Sequence, residues 1–224
     1  MKHQDKNKIL NEALSHHHKG ELDKANSLYL QVLSIDPNDF NANHLHGCIL
    51  SQRRQYKEAI EFLSKSVESN SNNYEANNNL GIALKNEKYF DKAQLYFQNA
   101  IKIDPRDYRA HYNLGNLQAQ NKDYKEALES FETAHDCDNT FLESKKRMGE
   151  VYQYIYQEDH DESNLDKSEE CFLEVLENKP NDINALTLLG LVKLWKGDID
   201  GSQDIFQKIH KYQYENEEIL NKEI

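Results

Sequence analysis

Three groups of side chains in this 224-residue chain are of types that could do chemistry: the run His16-His17-His18, the acidic stretch from Gln157 to Asn164, and the cysteines Cys48, Cys137 and Cys171. Imidazoles ligate metals and move protons. Consecutive helical positions point about 100° apart, so three adjacent histidines cannot converge on one ion. His17 with His44 or His46 would need a neighbouring element to bring them together; the alternative is a polar helix end. In the acidic stretch, Asp159, Asp161, Ser163 and Glu170 match ligand positions of a calcium-binding loop. That loop needs a central glycine and a following apolar residue, which are absent here, and Asp166 stands at the apolar place. A solvated acidic loop is the expectation. The cysteines are odd in number and form no CxxC pair, which fits small buried apolar residues and neither a disulfide framework nor a zinc knuckle. The chain has no phosphate-cradling GxxxxGK[ST], no GxGxxG, no GxSxG and no HExxH. Neither catalysis, nor a metal, nor a cofactor is expected.

The charge balance narrows the partner. There are 39 acidic and 27 basic residues, a formal net charge of −12. Binding a phosphate backbone needs a concentrated basic surface, and so does binding an anionic membrane face. Nucleic acid and membrane are therefore excluded as principal partners. Met1 to Lys6 lead into no apolar signal core, and no run reaches membrane-spanning length, so a soluble cytoplasmic protein is expected. Only three prolines and eight glycines interrupt the chain, so long stretches can stay helical. A hydrophobic fraction of 38% is low for a compact sphere but adequate for thin stacked layers that each bury one narrow core.

The elements that would position such side chains emerge from self-similarity. Ala25, Ala59, Ala93 and Ala127 stand 34 residues apart, and so do Gly47, Gly81, Gly115 and Gly149, with Ala13 one period earlier. Leu22, Tyr56, Phe90 and Tyr124 keep the same step, as do Tyr29, Leu63, Phe97 and Phe131. The next step is 41 residues, from Gly149 to Gly190 and from Phe131 to Phe172, after which the period returns to 34 at Ile199, Ser202 and Phe206. The fifth repeat therefore carries seven extra residues between Gly149 and Leu165.

Each column has a physical role. Gly81 and Ala93 are small enough to let two helices approach. Phe97 and Ala100 follow Ala93 at helical spacing and share its face. Asp36-Pro37, Asp104-Pro105 and Lys179-Pro180 stop the second helix of their repeats, because proline lacks the N–H and restricts its predecessor. Asp39, Asn73, Asp107 and Asp182 are placed to cap the next helix.

The 34-residue period and the residues Leu80-Gly81, Leu84, Ala93, Phe97, Ala100 and Pro105 within 74–107 resemble the tetratricopeptide repeat (TPR) family, over nearly the whole chain. The resemblance implies an all-α, right-handed superhelical solenoid of about six helix-turn-helix repeats with a C-terminal capping helix. A single TPR domain spans 1–224, with repeats at about 6–39, 40–73, 74–107, 108–141, 142–182 and 183–214 and a polar cap at 215–224.

The resemblance further implies that first helices line a concave groove that holds a peptide or a partner helix. The groove positions carried over are Asn79, Asn86, Arg109, Tyr112, Asn113, Asn116, Lys146, Arg147, Tyr154, Leu191 and Trp195. Asn79 and Asn113 look like a short asparagine ladder; a carboxamide offers both a donor and an acceptor to a backbone. The chaperone-tail carboxylate clamp of some relatives is not matched, because Asn78 and Ile82 stand where it needs Lys and Asn. Tyr154, Leu188, Leu191, Leu194 and Trp195 suggest an apolar pocket near the C-terminal end. Trp195 is either an anchor for a partner or packing for the cap. The expected function is a protein-binding scaffold or adaptor. The alternative is a substrate-recruiting module of a glycosyl-, sulfo- or methyltransferase system, with catalysis on another chain. A homo-oligomer through the terminal repeats is a further arrangement open to a solenoid.

Overall fold

A computed structural model describes the backbone of residues 2–220 and the side chains of residues 5–212. Twelve α-helices and no strand occur among the described residues. They are α1 (Lys2–His18), α2 (Leu22–Ile35), α3 (Phe40–Gln52), α4 (Tyr56–Ser69), α5 (Tyr74–Asn86), α6 (Phe90–Ile103), α7 (Tyr108–Gln120), α8 (Tyr124–Cys137), α9 (Glu143–Asp159), α10 (Ser163–Asn178), α11 (Ile183–Trp195) and α12 (Ile199–Leu220). Residues 1–117 and 118–224 form two compact units.

In the first unit α1 packs on α2, α3 on α4 and α5 on α6, and each pair packs on the next through α2–α3 and α4–α5. Its core is built where the repeat columns placed it. Ala25, Tyr29, Ala59, Leu63, Ala93 and Phe97 are fully buried. The glycine column decides how closely a pair can approach. A methyl group at Gly81 would fall 2.6 Å from Phe97 Cε1, and one at Gly47 would fall 2.7 Å from Leu63 Cγ. The second helix thus lays its large side chain directly on the backbone of the first.

The second unit repeats this rule through α9–α10 and α11–α12. A methyl at Gly149 would meet the Phe172 ring at 2.7 Å, and one at Gly190 would meet Phe206 at 2.9 Å. Here the alanine column has become serine. Ser168 and Ser202, both buried, donate their hydroxyls to the carbonyls of Gly149 and Gly190, each at 2.9 Å. The hydroxyl is tolerated because its bond is satisfied at the same close crossing.

The ends of the helices follow local chemistry. Asp39, Asn73 and Asp182 accept from the backbone N–H three residues on, at 2.8 to 3.0 Å. α2, α6 and α10 stop at the residue two before a proline. Asn43 and Asn77 each donate to two carbonyls of the preceding turn, through Pro37 and Asp39 or through Ser71 and Asn73. Part of the asparagine abundance is therefore structural. The turn inside each repeat needs one left-handed residue. Gly20 and Gly197 supply it without strain, whereas Arg54, Lys88 and Lys122 adopt φ of 61°, 65° and 68°.

The seven extra residues do not form the expected acidic loop. α9 is 17 residues long against 13 for α3, α5, α7 and α11, and α10 begins two residues before its repeat counterpart. The connecting turn stays three residues long, at 160–162. Tyr156, in the added stretch of α9, packs against the core cluster formed by Leu165, Phe172, Leu189 and Val192, and this apolar contact favours helix over loop. The polar tail expected as a cap is helical to Leu220 as a continuation of α12; its side chains and residues 221–224 lie outside the described residues.

Two substitutions in one repeat should differ in outcome. Gly81→Ala forces a methyl against Phe97 and is expected to cost about 1–3 kcal/mol in urea unfolding. Lys88→Gly relieves a left-handed penalty of roughly 1–2 kcal/mol and adds about 0.5–1 kcal/mol of chain entropy cost, so it should leave stability unchanged or slightly raised.

Candidate functional site

In the first unit two adjoining cavities open along the first helices of successive repeats. One of about 380 Å³ is lined by Cys48, Ser51 and Gln52 of α3, Tyr56 of α4, and Asn79, Ile82 and Asn86 of α5. The other, about 240 Å³, is lined by His17, His44, Leu45, Cys48, Glu75, Asn78, Asn79 and Arg109. They share Cys48 and Asn79, so they form one continuous trough. The residues arrive there by helical spacing: on α3, positions 44, 48 and 52 stand four apart, and on α5 positions 75, 79, 82 and 86 stand three or four apart.

The floor of the trough is a bonded row. The Asn79 amide donates to His44 Nε2 at 2.9 Å and lies 3.3 Å from Cys48 Sγ. The Asn113 amide donates to Asn78 Oδ1 at 3.0 Å. These bonds join first helices of neighbouring repeats, so the asparagines stitch layers together while their oxygens keep acceptor capacity. Burial pushes the His44 ring to a lower pKa, against the opposing pull of Glu75, and the neutral ring is the form that accepts from Asn79. Burial, reinforced by Glu75, pushes the Cys48 thiol up to about 12, which makes it a poor nucleophile at neutral pH.

Arg109 closes one end. Its Nε donates to Asp107 Oδ1 at 2.8 Å, Nη2 reaches the Tyr74 hydroxyl at 3.3 Å, and its guanidinium lies over the Tyr74 ring. Asn86 and Asn116 donate to carbonyls of their own helices, from Ile82 and Tyr112. The structure thus gathers Asn79, Asn86 and Arg109 around the trough, with Asn113 bonded to its lining residue Asn78.

The positions projected onto the second unit scatter. Lys146 lines a polar cavity of about 280 Å³ with Glu143, Glu150, Asn184, Thr187 and Leu188. It bridges Glu143 at 2.7 Å and Asp182 at 3.3 Å. Arg147 pairs with Glu150, whose carboxyl burial pushes up against that pull. Tyr154 stacks on Tyr124 at 6.1 Å, and Trp195 stacks on Tyr156 at 6.0 Å. These aromatic side chains lean on different neighbours, Leu188 belongs to the polar cavity, and Leu191 is half-buried on α11.

Glu75, Glu143 and Asn184 line cavities and were not singled out as groove positions in the sequence. The signal existed: they continue the column of Asn7, Asn41 and Arg109. Among the described residues no group of three or more histidine, cysteine, aspartate or glutamate side chains is placed to hold a metal ion, and no helix is long and apolar enough to cross a membrane.

Tetratricopeptide-repeat family profiles match residues 40–73 and 82–140. No curated protein matches the chain. Among solved structures it is similar to PilW, a type IV pilus biogenesis factor, with a TM-score of 0.80 at 16% identity over 93% of each chain. It is similar to PilF of Pseudomonas aeruginosa, with a TM-score of 0.75 at 18% identity over 96% of this chain and 99% of that one. YrrB, a TPR protein with an unusual peptide-binding site, gives a TM-score of 0.65 at 23% identity over 80% of this chain and 88% of that one. At these identities the likeness is one of fold.

Burial lowers the pKa of His17, His44 and His46 below the ordinary 6.5. The unfolded chain then binds more protons than the folded one, so stability is full above that value and falls as pH drops through it toward the folded pKa. Urea midpoints should decline as pH falls below about 6.5, and His44→Gln should flatten part of that decline. A wild-type profile that is level across the range would contradict the assignment.

Proposed function

Because the chain is a tetratricopeptide-repeat protein, we propose that it is a non-catalytic scaffold whose first unit holds an extended segment of a partner protein in the trough along α3 and α5. The observation that carries this reading is the lining itself. Ser51, Gln52, Tyr56, Asn79 and Asn86 are neutral hydrogen-bonding side chains, set beside the apolar Cys48 and Ile82. A peptide backbone is neutral and presents alternating donors and acceptors, which carboxamides and hydroxyls satisfy whatever the sequence. The apolar pair leaves room for one partner side chain. Phosphate or a cluster of carboxylates would find a single guanidinium, Arg109, already engaged by Asp107.

YrrB supports the reading as a structurally similar TPR protein with a peptide-binding site. Asn79, Asn86, Arg109, Tyr112, Asn113 and Asn116 are the proposed contacts in the first unit. In the second unit Lys146, Arg147, Tyr154, Leu191 and Trp195 remain proposed contacts with a partner protein. The whole chain is proposed to act as one cytoplasmic binding domain.

A photo-cross-linking residue at Gln52 or Asn86 in the native cell should capture a partner that the same group at Lys102, on α6, does not. Asn86→Ala removes only a bond to its own helix, so the fold should survive while affinity for the captured partner drops by roughly three- to tenfold. Equal capture from Lys102, or unchanged affinity, would remove the trough as the site.

A further inference from the structure

The net charge of the chain lies almost wholly in its second half. Residues 1–117 hold 15 basic and 14 acidic residues, and residues 118–224 hold 12 basic and 25 acidic. Within the second unit three large apolar side chains are exposed where α11 passes into α12. Leu194, Trp195 and Ile199 are 44%, 36% and 48% exposed. Trp195 is the last residue of α11, and its ring lies nearly parallel to that of Tyr156, at 6.0 Å and 29°. The His160 ring stands edge-on to Tyr156 at 5.9 Å. Tyr156 belongs to the five residues by which α9 outruns its repeat counterparts, a further reach of about 7.5 Å. The insertion in the fifth repeat therefore builds the shelf on which the only tryptophan rests.

Carboxylates flank the residues of this shelf in the sequence, around His160 and after Ile199. Lys193 is held by Glu169 at 2.6 Å and Asp198 at 3.3 Å, and Lys196 by Asp166 at 2.7 Å and Glu169 at 2.5 Å. Those lysines are spent within the edge, and their bonds tie the first half of α10 to the end of α11 and the turn after it. Asp159, Asp161, Glu162 and Asp200 take part in no lysine or arginine ion pair among the described residues. Hydrogen bonds from the N–H and hydroxyl of Ser163 hold the Asp161 carboxyl below its ordinary pKa, so it stays ionised.

We propose that this edge of the fifth and sixth repeats is a second interaction surface, separate from the trough, and that it takes a basic, arginine-bearing segment of a partner protein. A guanidinium lies flat on the exposed face of Trp195, where cation–π attraction adds to the surrounding negative field. Leu194 and Ile199 receive an apolar neighbour of that arginine. The aromatic and aliphatic exposure marks the surface, and the charge imbalance selects the occupant. A neutral or acidic segment would leave four carboxylates unpaired or repelled.

The lone tryptophan is its own reporter. Titration of the full chain with a short peptide alternating arginine and leucine should change Trp195 fluorescence saturably, and the affinity should fall as salt rises. The same peptide with glutamate for arginine should produce no change. The triple variant Asp159→Asn, Asp161→Asn, Glu162→Gln should weaken binding roughly tenfold. The control triple Glu129→Gln, Glu132→Gln, Asp136→Asn removes as much charge from α8 and should weaken it less than about twofold. Tyr156→Leu removes the shelf and should weaken binding even where circular dichroism shows the helices intact. Three results would each overturn the proposal: no saturable change, an equal response to the glutamate peptide, or equal weakening by both triples. The last would reduce the effect to net charge alone.

Discussion

The close crossing of paired helices governs the rest of the structure within each unit. A glycine or alanine on the first helix lets the large side chain of the second rest on bare backbone, as Phe97 does on Gly81 and Phe172 on Gly149. That contact fixes the spacing within a pair. Repeating it within each unit lets a modest apolar content build a core there. Each large side chain so buried contributes roughly 1.5–3 kcal/mol, and none of these residues remains available for binding. Function is left to the first-helix positions that the crossing does not use. On α5 these are Glu75, Asn78, Asn79, Ile82 and Asn86.

The same rule shows what can vary. Serine replaces alanine at the crossing in the last two repeats because its hydroxyl finds the carbonyl of the glycine beneath it. Phe206 keeps its place on Gly190 although it is 38% exposed, since it belongs to the last repeat column. The seven added residues of the fifth repeat leave both Gly149 and Phe172 in register by lengthening helices on either side of an unchanged turn length. An insertion at the crossing itself would break the core. One at the turn extends a helix and exposes a new face.

Much of this was legible in the sequence because the governing contacts are local and periodic. The small-residue column, the aromatic column, the prolines and the caps Asp39, Asn73 and Asp182 depend on backbone geometry within a few residues, and they stand where spacing put them. The added stretch reads as a loop by composition because Gln157, Glu158 and Asp159 are polar, while its helical form rests on Tyr156 packing against the core cluster of Leu165, Phe172, Leu189 and Val192, which composition does not show. The left-handed turns at Arg54, Lys88 and Lys122 were hidden because no glycine announces them. The trough was half legible. Amide-rich first helices were visible, but the bond between Asn79 and His44, 35 residues apart, depends on rotamers and on layer spacing. Trp195 stood out by type, and its neighbour Tyr156 did not.

On the proposed function, a partner rests on the first-helix face of α3 and α5. Amide hydrogen exchange, measured on the chain alone and on its complex with the captured partner, reads this out helix by helix. Slower exchange concentrated in α3 and α5, with α4 and α6 unchanged, is the predicted result. Protection confined to α4 and α6, or spread evenly over all four helices, would contradict it.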